Sequence, residues 1–320
     1  MNLLAILAAL GLEQWHAPAW RTAIERAFVR QARNLERIFN GGTAGQGTVA
    51  AAAAILPPVL AATAVWWALA AVSPLAAFAF NVLVLYALMG FRRFSHAVSA
   101  IVGAFAAGDL VSARRALGAW RGRASSELST GDVARLAIER GLVDAYRQVF
   151  AVVFWFVVLP GPAGAVLYRA AARLAQEWAE PGTGDELTPI VRERGAFGAP
   201  ARHLLAALDA VPVRLTALAF AVVGDFEDAV ACWRTQAASW AREEGGSAAG
   251  IVLASGAGAL GVVVGGALPS ATGEPDWRPE LGIGDAVEPE ALPSAMALVW
   301  RAMVLWLAVI LLVTIANLLP

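Results

Sequence analysis

Arg169 and Arg214 each stand at the end of an apolar run. A guanidinium there offers a planar two-bond grip on a phosphate. It serves equally as a charged head that snorkels toward lipid headgroups. Glu139 falls in a helical stretch with Arg135 four residues before it and Arg140 and Asp144 nearby. It is a candidate catalytic carboxylate, although an intrahelical ion pair is the plainer account. Asp209 precedes Pro212 and is a candidate catalytic or ligating group, or else a cap for the following helix. His96 follows Phe94-Ser95 beside an apolar segment and reads as a polar interfacial contact rather than a general base.

Other chemistry is excluded by what the chain lacks. All 24 basic residues are arginine, so neither a Walker A loop nor a Schiff-base lysine is available. A GC-rich coding bias accounts for that usage. Cys232 is the single cysteine, and His16, His96 and His203 are far apart, so the expected metal set is none. The net charge of −1 gives no pull toward nucleic acid. With 59% hydrophobic residues, 15% charged and a mean hydropathy of +0.62, the chain falls far below the roughly 25% charge of soluble domains. Its first partner is the lipid bilayer.

The elements that must carry these groups are helices, and the fold class expected is all-α, a polytopic membrane protein with amphipathic and cytoplasmic helices. A single domain over 1–320 divides into six stretches. Residues 1–48 form an amphipathic N-terminal region. Asn2 to Leu12 is too short to span alone and has neither a basic start nor a cleavage site for a leader. Pro18 opens a helix to about Phe39 with Trp20, Ile24, Phe28, Leu35 and Ile38 on one side and five arginines on the other. Such a helix lies in the headgroup layer or packs on the protein itself. No charge occurs between Arg37 and Arg92, room for two spans, and Ser73-Pro74 supplies the turn. A transmembrane hairpin is therefore expected over 49–90, with Asn81 bonded to a neighbouring helix.

Residues 91–147 read as cytoplasmic helices capped by Asp109 and by Ser129 with Asp132, on the arginine-rich and hence inner side. Residues 148–244 hold broken apolar helices and charged loops, interrupted at Pro160-Gly161-Pro162. There Phe226, Val230, Trp233, Ala237 and Trp240 form a helical stripe, suited to the core or to the bilayer surface. Residues 245–293 combine a glycine-rich segment, expected to line a cleft or re-enter the membrane, with an acidic loop. A final span occupies 294–320. Clear cases give three spans, and broken ones raise the number to four to six. The location expected is the bacterial inner membrane.

Five segments taken in order resemble the CobD/CbiB family. They are Ala107-Gly108-Asp109-Leu110 with Ala113-Arg114-Arg115-Ala116-Leu117; Gly122-Arg123-Ala124-Ser125-Ser126-Glu127-Leu128 with Ala137-Ile138-Glu139; Tyr168-Arg169-Ala170; Phe197-Gly198-Ala199 with Pro212-Val213-Arg214-Leu215-Thr216-Ala217-Leu218; and Gly258-Ala259-Leu260-Gly261 with Gly265-Gly266. The family pattern reads GRDTSEL, AIES, YRAxNTLDSM, PARLTAL and GALGVRLGG. The resemblance implies the adenosylcobinamide-phosphate synthase of cobalamin biosynthesis, an amide-forming membrane enzyme that joins an aminopropanol phosphate to the corrin ring. It also implies ATP and Mg²⁺ as cofactors and a corrinoid as ligand. On that reading Arg123, Ser125, Arg169 and Arg214 bind substrate, and Glu139 and Asp209 are catalytic.

The departures from the pattern are as informative. The early GDPxxxPHP segment has no counterpart. Ala124, Ala172, Ala175, Leu205, Ala206 and Ala248 stand where the family carries acids or amides. Losing carboxylates should weaken Mg²⁺ binding and proton transfer. The chain also resembles AmpE, a shorter relative linked to signalling in β-lactamase induction, around Val211 to Leu215 and Val223-Gly224. A non-catalytic signalling or binding role is thus the alternative to the enzyme. No paired inverted halves point to a transporter.

Overall fold

The computed structural model describes residues 2–15, 20–122, 125–179, 196–243, 245–269 and 276–317. In chain order the helices are α1 (Asn2–Trp15), α2 (Arg21–Phe39), α3 (Ala44–Val72), α4 (Pro74–Leu88), α5 (Phe91–Ala106), α6 (Leu110–Arg121), α7 (Thr130–Ala145), α8 (Ala151–Val158), α9 (Ala163–Glu177), α10 (Ala199–Asp209), α11 (Pro212–Val223), α12 (Phe226–Gln236), α13 (Gly246–Leu260) and α14 (Ala291–Ala316). Three short strands, β1 (Val262–Leu268), β2 (Asp276–Gly282) and β3 (Asp285–Ala286), form one sheet in the order β2-β1-β3. A π-helical turn at Tyr146–Phe150 joins α7 to α8. The protein is a polytopic helical membrane protein. Among the described residues four helical rods are long and apolar enough to cross a membrane: Ala44–Val72, Pro74–Ala106, Thr130–Val158 and Ala291–Ala316. The bent pair α10 and α11 makes a fifth if it counts as one span.

Two compact units are present. The first lies within Met1–Arg92, Arg147–Glu180 and Arg192–Asp209. Here α3 and α4 pack as the expected hairpin, broken at the extended Ser73 with Pro74 starting the next helix. Thr43 caps α3 by accepting from the Gln46 amide, so the helix begins ahead of the 49–90 stretch expected for the hairpin. Helix α1 packs on α4, and α2 packs on α3 and α9. Ile24 and Ile38 of the anticipated apolar stripe on α2 are exposed, and Ala32 is its buried residue. Trp66 stacks edge-on with Trp67 and lies over Gly161 in the turn between α8 and α9. The Pro160-Gly161-Pro162 break therefore separates two helices instead of kinking one. Asn81 is buried, and its Oδ1 has no hydrogen-bond partner among the described residues.

The second unit lies within Arg93–Tyr146 and Ala210–Pro320. Asp109 caps α6 by accepting from Ser112, and Ser129 and Asp132 close a reciprocal capping box on α7, both as the residue types require. The glycine-rich stretch makes the buried helix α13 and then β1. A Cβ at Gly258 would stand 2.6 Å from the Asp228 carbonyl, so the missing side chain admits α12 against α13. On α12 and the 3₁₀ turn after it, Ala229, Cys232, Ala237 and Trp240 are buried, whereas Phe226 is exposed. Of the anticipated stripe, Ala237 and Trp240 are buried, Val230 and Trp233 are half-buried and Phe226 at the start of α12 is exposed.

Candidate functional site

In the second unit one face of α7 grips the β1–β2 hairpin. Asp132, Arg135 and Glu139 recur at helical spacing along that face. Arg135 pairs with Asp132 at 2.7 Å and donates to the Ala267 carbonyl at 2.6 Å. Glu139 Oε1 accepts from the Gly265 amide at 2.8 Å, and Arg278 of β2 forks onto both carboxylate oxygens at 2.7 and 3.0 Å. The Arg278 guanidinium also lies 5.4 Å from the centre of the Trp240 ring. Burial works to lower its pKa, but the Glu139 carboxylate beside it prevails and holds it above the ordinary arginine value.

The hairpin is shaped for this grip. Pairing of β1 with β2 is irregular between Val264 and Gly266. Gly265 sits in that irregularity at φ +83°, and a Cβ there would meet the Pro279 carbonyl at 2.0 Å. Left-handed backbone and close approach together demand glycine. The Glu139 carboxylate is thus fully engaged, by a two-bond ion pair and a backbone amide. The intrahelical pair expected for it is not formed: Arg140 pairs with Asp144 at 3.2 Å and Arg135 with Asp132. Ser125 is buried just ahead of α7. Arg214 is exposed on α11 and donates back to the Ala210 carbonyl. Arg123 lies outside the described residues.

The first unit holds Asp209 and Arg169. Asp209 does not cap α11; it accepts from the buried Tyr168 hydroxyl at 2.8 Å. Tyr168→Phe keeps the ring and removes that bond, and is expected to cost about 1–2 kcal/mol, read as a lower unfolding midpoint in detergent. Arg169 is largely buried, where an interfacial anchor was one expectation. Burial, with Arg173 and Arg21 nearby, pushes its guanidinium down to about 10. Glu25 of α2 meets Arg173 at 2.7 Å and Arg169 at 3.6 Å. Glu13 meets Arg21 at 3.1 Å and accepts from the Phe91 amide, and burial raises its carboxyl pKa.

Sequence reasoning missed Arg278, Glu25 and Arg173, and it named Trp240 and Tyr168 only within a helical stripe and a motif, without a partner. For Arg278 a signal existed: it is the only basic residue between Arg242 and Arg301, set in an acidic segment. Among the described residues no three His, Cys, Asp or Glu side chains gather into a group able to hold a metal ion.

A family profile described as CobD/Cbib protein matches residues 6–299. The chain belongs to the CobD/CbiB family. It is 36% identical over 312 residues to the "Cobalamin biosynthesis protein CobD" of Stutzerimonas stutzeri, covering 96% of each chain. It is 37% identical over 289 residues to the protein of the same description from Chromobacterium violaceum, covering 89% of this chain and 85% of that one. No solved structure matches it. Two of the segments that carried the resemblance to CobD/CbiB, Ala137-Ile138-Glu139 and Gly265-Gly266, meet in space through the Gly265 amide and the Glu139 carboxylate.

Proposed function

We propose that the chain serves cobalamin biosynthesis as a multi-pass protein of the bacterial inner membrane, binding a corrinoid without itself forming the aminopropanol amide. The full-length likeness to proteins described as cobalamin biosynthesis proteins supports the pathway. The observation that carries the loss of catalysis is the state of Glu139. Both of its oxygens are committed to Arg278 and to the Gly265 amide, so it is held as an anchor.

Forming an amide from a carboxylate requires activation of that carboxylate and removal of a proton from the amine. Phosphoryl activation by ATP uses Mg²⁺, which one or two carboxylates hold together with the phosphates themselves. Several positions where the family pattern carries polar groups, Ala172, Ala175, Leu205 and Ala248, are buried apolar residues here. An active synthase is the second reading, favoured by identity that extends over nearly the whole length of a relative.

The deciding experiment is complementation of a bacterial strain that lacks adenosylcobinamide-phosphate synthase and must make cobalamin from cobyric acid. It is paired with corrinoid binding by the purified protein. No growth, with the protein present in the membrane and corrinoid bound at micromolar concentration, is the expected result. Growth would overturn the non-catalytic reading, and Glu139→Gln and Arg214→Ala would then test the site. Failure to bind corrinoid would remove the pathway assignment and favour the AmpE-like signalling role.

A further inference from the structure

Helix α1 of the first unit buries one face and leaves the other open. Ala5, Ile6, Ala9 and Glu13 recur at helical spacing and are buried, and α1 packs on α4. Leu4, Leu7 and Leu12 on the opposite side are exposed, Leu4 by 61%. From Leu3 to Leu12 no side chain is polar. A helix that lies flat in the headgroup layer carries a charged or polar face. Over these ten residues α1 has none, so its open face suits hydrocarbon and not the interface.

The end of α1 fixes its direction. Glu13 accepts from the Phe91 amide at 3.2 Å and pairs with Arg21 at 3.1 Å. Phe91 follows directly on the break that ends α4. The last turn of α1 is thus tied beside the last turn of α4, and the body of α1 runs back along α4 in the same direction. Helix α4 belongs to a rod that is long and apolar enough to cross the membrane, and its uncharged stretch ends just before Arg92. Aromatic rings gather at the same level: Trp20 lies edge-on to Tyr86 at 6.4 Å, and Trp15 is exposed. Such rings, with Arg21 and Arg92 beside them, mark the headgroup level. At 1.5 Å per residue Asn2 lies about 16 Å beyond Glu13. That depth is near the middle of a hydrocarbon core about 30 Å thick.

We propose that α1 is a half-length membrane helix, inserted beside α4 from the arginine-rich side, with Leu4, Leu7 and Leu12 against lipid acyl chains. The exposed leucines continue the apolar surface of the neighbouring rod, and the Glu13 anchor holds the helix upright. Inserted in this way, α1 moors the amphipathic helix α2, which begins at Arg21, at the headgroup level. The lipid contact requires neither a corrinoid nor a catalytic step, so it stands apart from the function proposed above.

The test places a nitroxide label on Leu4→Cys, Leu7→Cys or Leu12→Cys in a Cys232→Ala background, with the full chain reconstituted in phosphatidylcholine vesicles. Power saturation compares oxygen, which concentrates in hydrocarbon, with a water-soluble nickel chelate, and so gives the depth of each label. The label at Leu4 is expected to lie about 12 Å deeper than the one at Leu12, the rise of eight residues along a helix, with Leu7 between them. Equal depth at the three sites would show α1 lying flat in the headgroup layer and would overturn the insertion. Ready access of the chelate to Leu4 would place that end in water and overturn it equally. Exclusion of both reagents from Leu4 and Leu7 would mean that a second copy of the chain covers the face in place of lipid, which also overturns it. All three positions are exposed, so the labels displace no packed side chain. If Leu4→Cys does not fold, Leu7→Cys and Leu12→Cys carry the test, with an expected difference of about 7 Å.

Discussion

Arg278→Ala is expected to lower the stability of the protein by about 3–5 kcal/mol, and Glu139→Ala by a similar amount. Each variant strands a charge. The two side chains are only 11% and 9% exposed and meet through two short bonds, so neither partner can turn to water when the other is removed. Loss of Glu139 also takes the acceptor from the Gly265 amide, adding a buried donor to the cost. The paired replacement Glu139→Leu with Arg278→Met removes both charges and is expected to recover much of the loss, since an apolar pair escapes the desolvation that a buried ion pair bears. A double-mutant cycle of unfolding midpoints in detergent measures the coupling. Single variants within about 0.5 kcal/mol of the parent would show that α7 does not anchor the hairpin. Loss of activity in Glu139→Gln alone would not identify a catalytic residue, because the same change loosens this anchor.

Gly47→Ala and Gly45→Ala, two residues apart in the first turn of α3, are expected to act with opposite sign. Alanine normally stabilises a helix relative to glycine by up to about 1 kcal/mol. A Cβ at Gly45 has no heavy atom within 4 Å, so Gly45→Ala should gain part of that benefit. At Gly47 the Cβ would stand 2.0 Å from the Phe197 carbonyl oxygen and 2.9 Å from its carbon. Backbone cannot swing aside as a side chain can, and the short 3₁₀ turn Ala196–Gly198 would have to move. Overpacking of this kind costs about 1–3 kcal/mol, which outweighs the propensity gain. Thermal unfolding of the two variants side by side gives the signs directly. Stabilisation by both would mean that the turn does not press on α3.

Much of the membrane architecture was legible because its determinants are local. The uncharged stretch between Arg37 and Arg92 holds too much apolar surface for water, and Ser73-Pro74 cannot continue a helix; the helices end and begin there. Asp109 and Ser129 act within three residues of themselves, so their caps follow from spacing. The continuation of α7 through a π turn into α8 was less plain. Its charged first half and apolar second half look like separate segments when hydropathy is averaged.

Composition and order alone determined that this protein is a helical membrane chain of CobD/CbiB type, because both signals are carried by neighbouring residues. The partners of its candidate residues were decided only by the tertiary structure. Glu139 looks toward Arg135 and Arg140 along the helix, yet its ion pair is with Arg278, 139 residues later. Asp209 could cap the helix beside it, but the Tyr168 hydroxyl claims it from 41 residues away. Gly265-Gly266 suggested a cleft or a re-entrant loop, and strand pairing turned it into the hollow that receives a carboxylate. A side chain's charge is written in the sequence, but its counter-charge is chosen by the path of the chain, because Coulomb attraction and hydrogen bonding depend on distance in space and not on separation along the backbone.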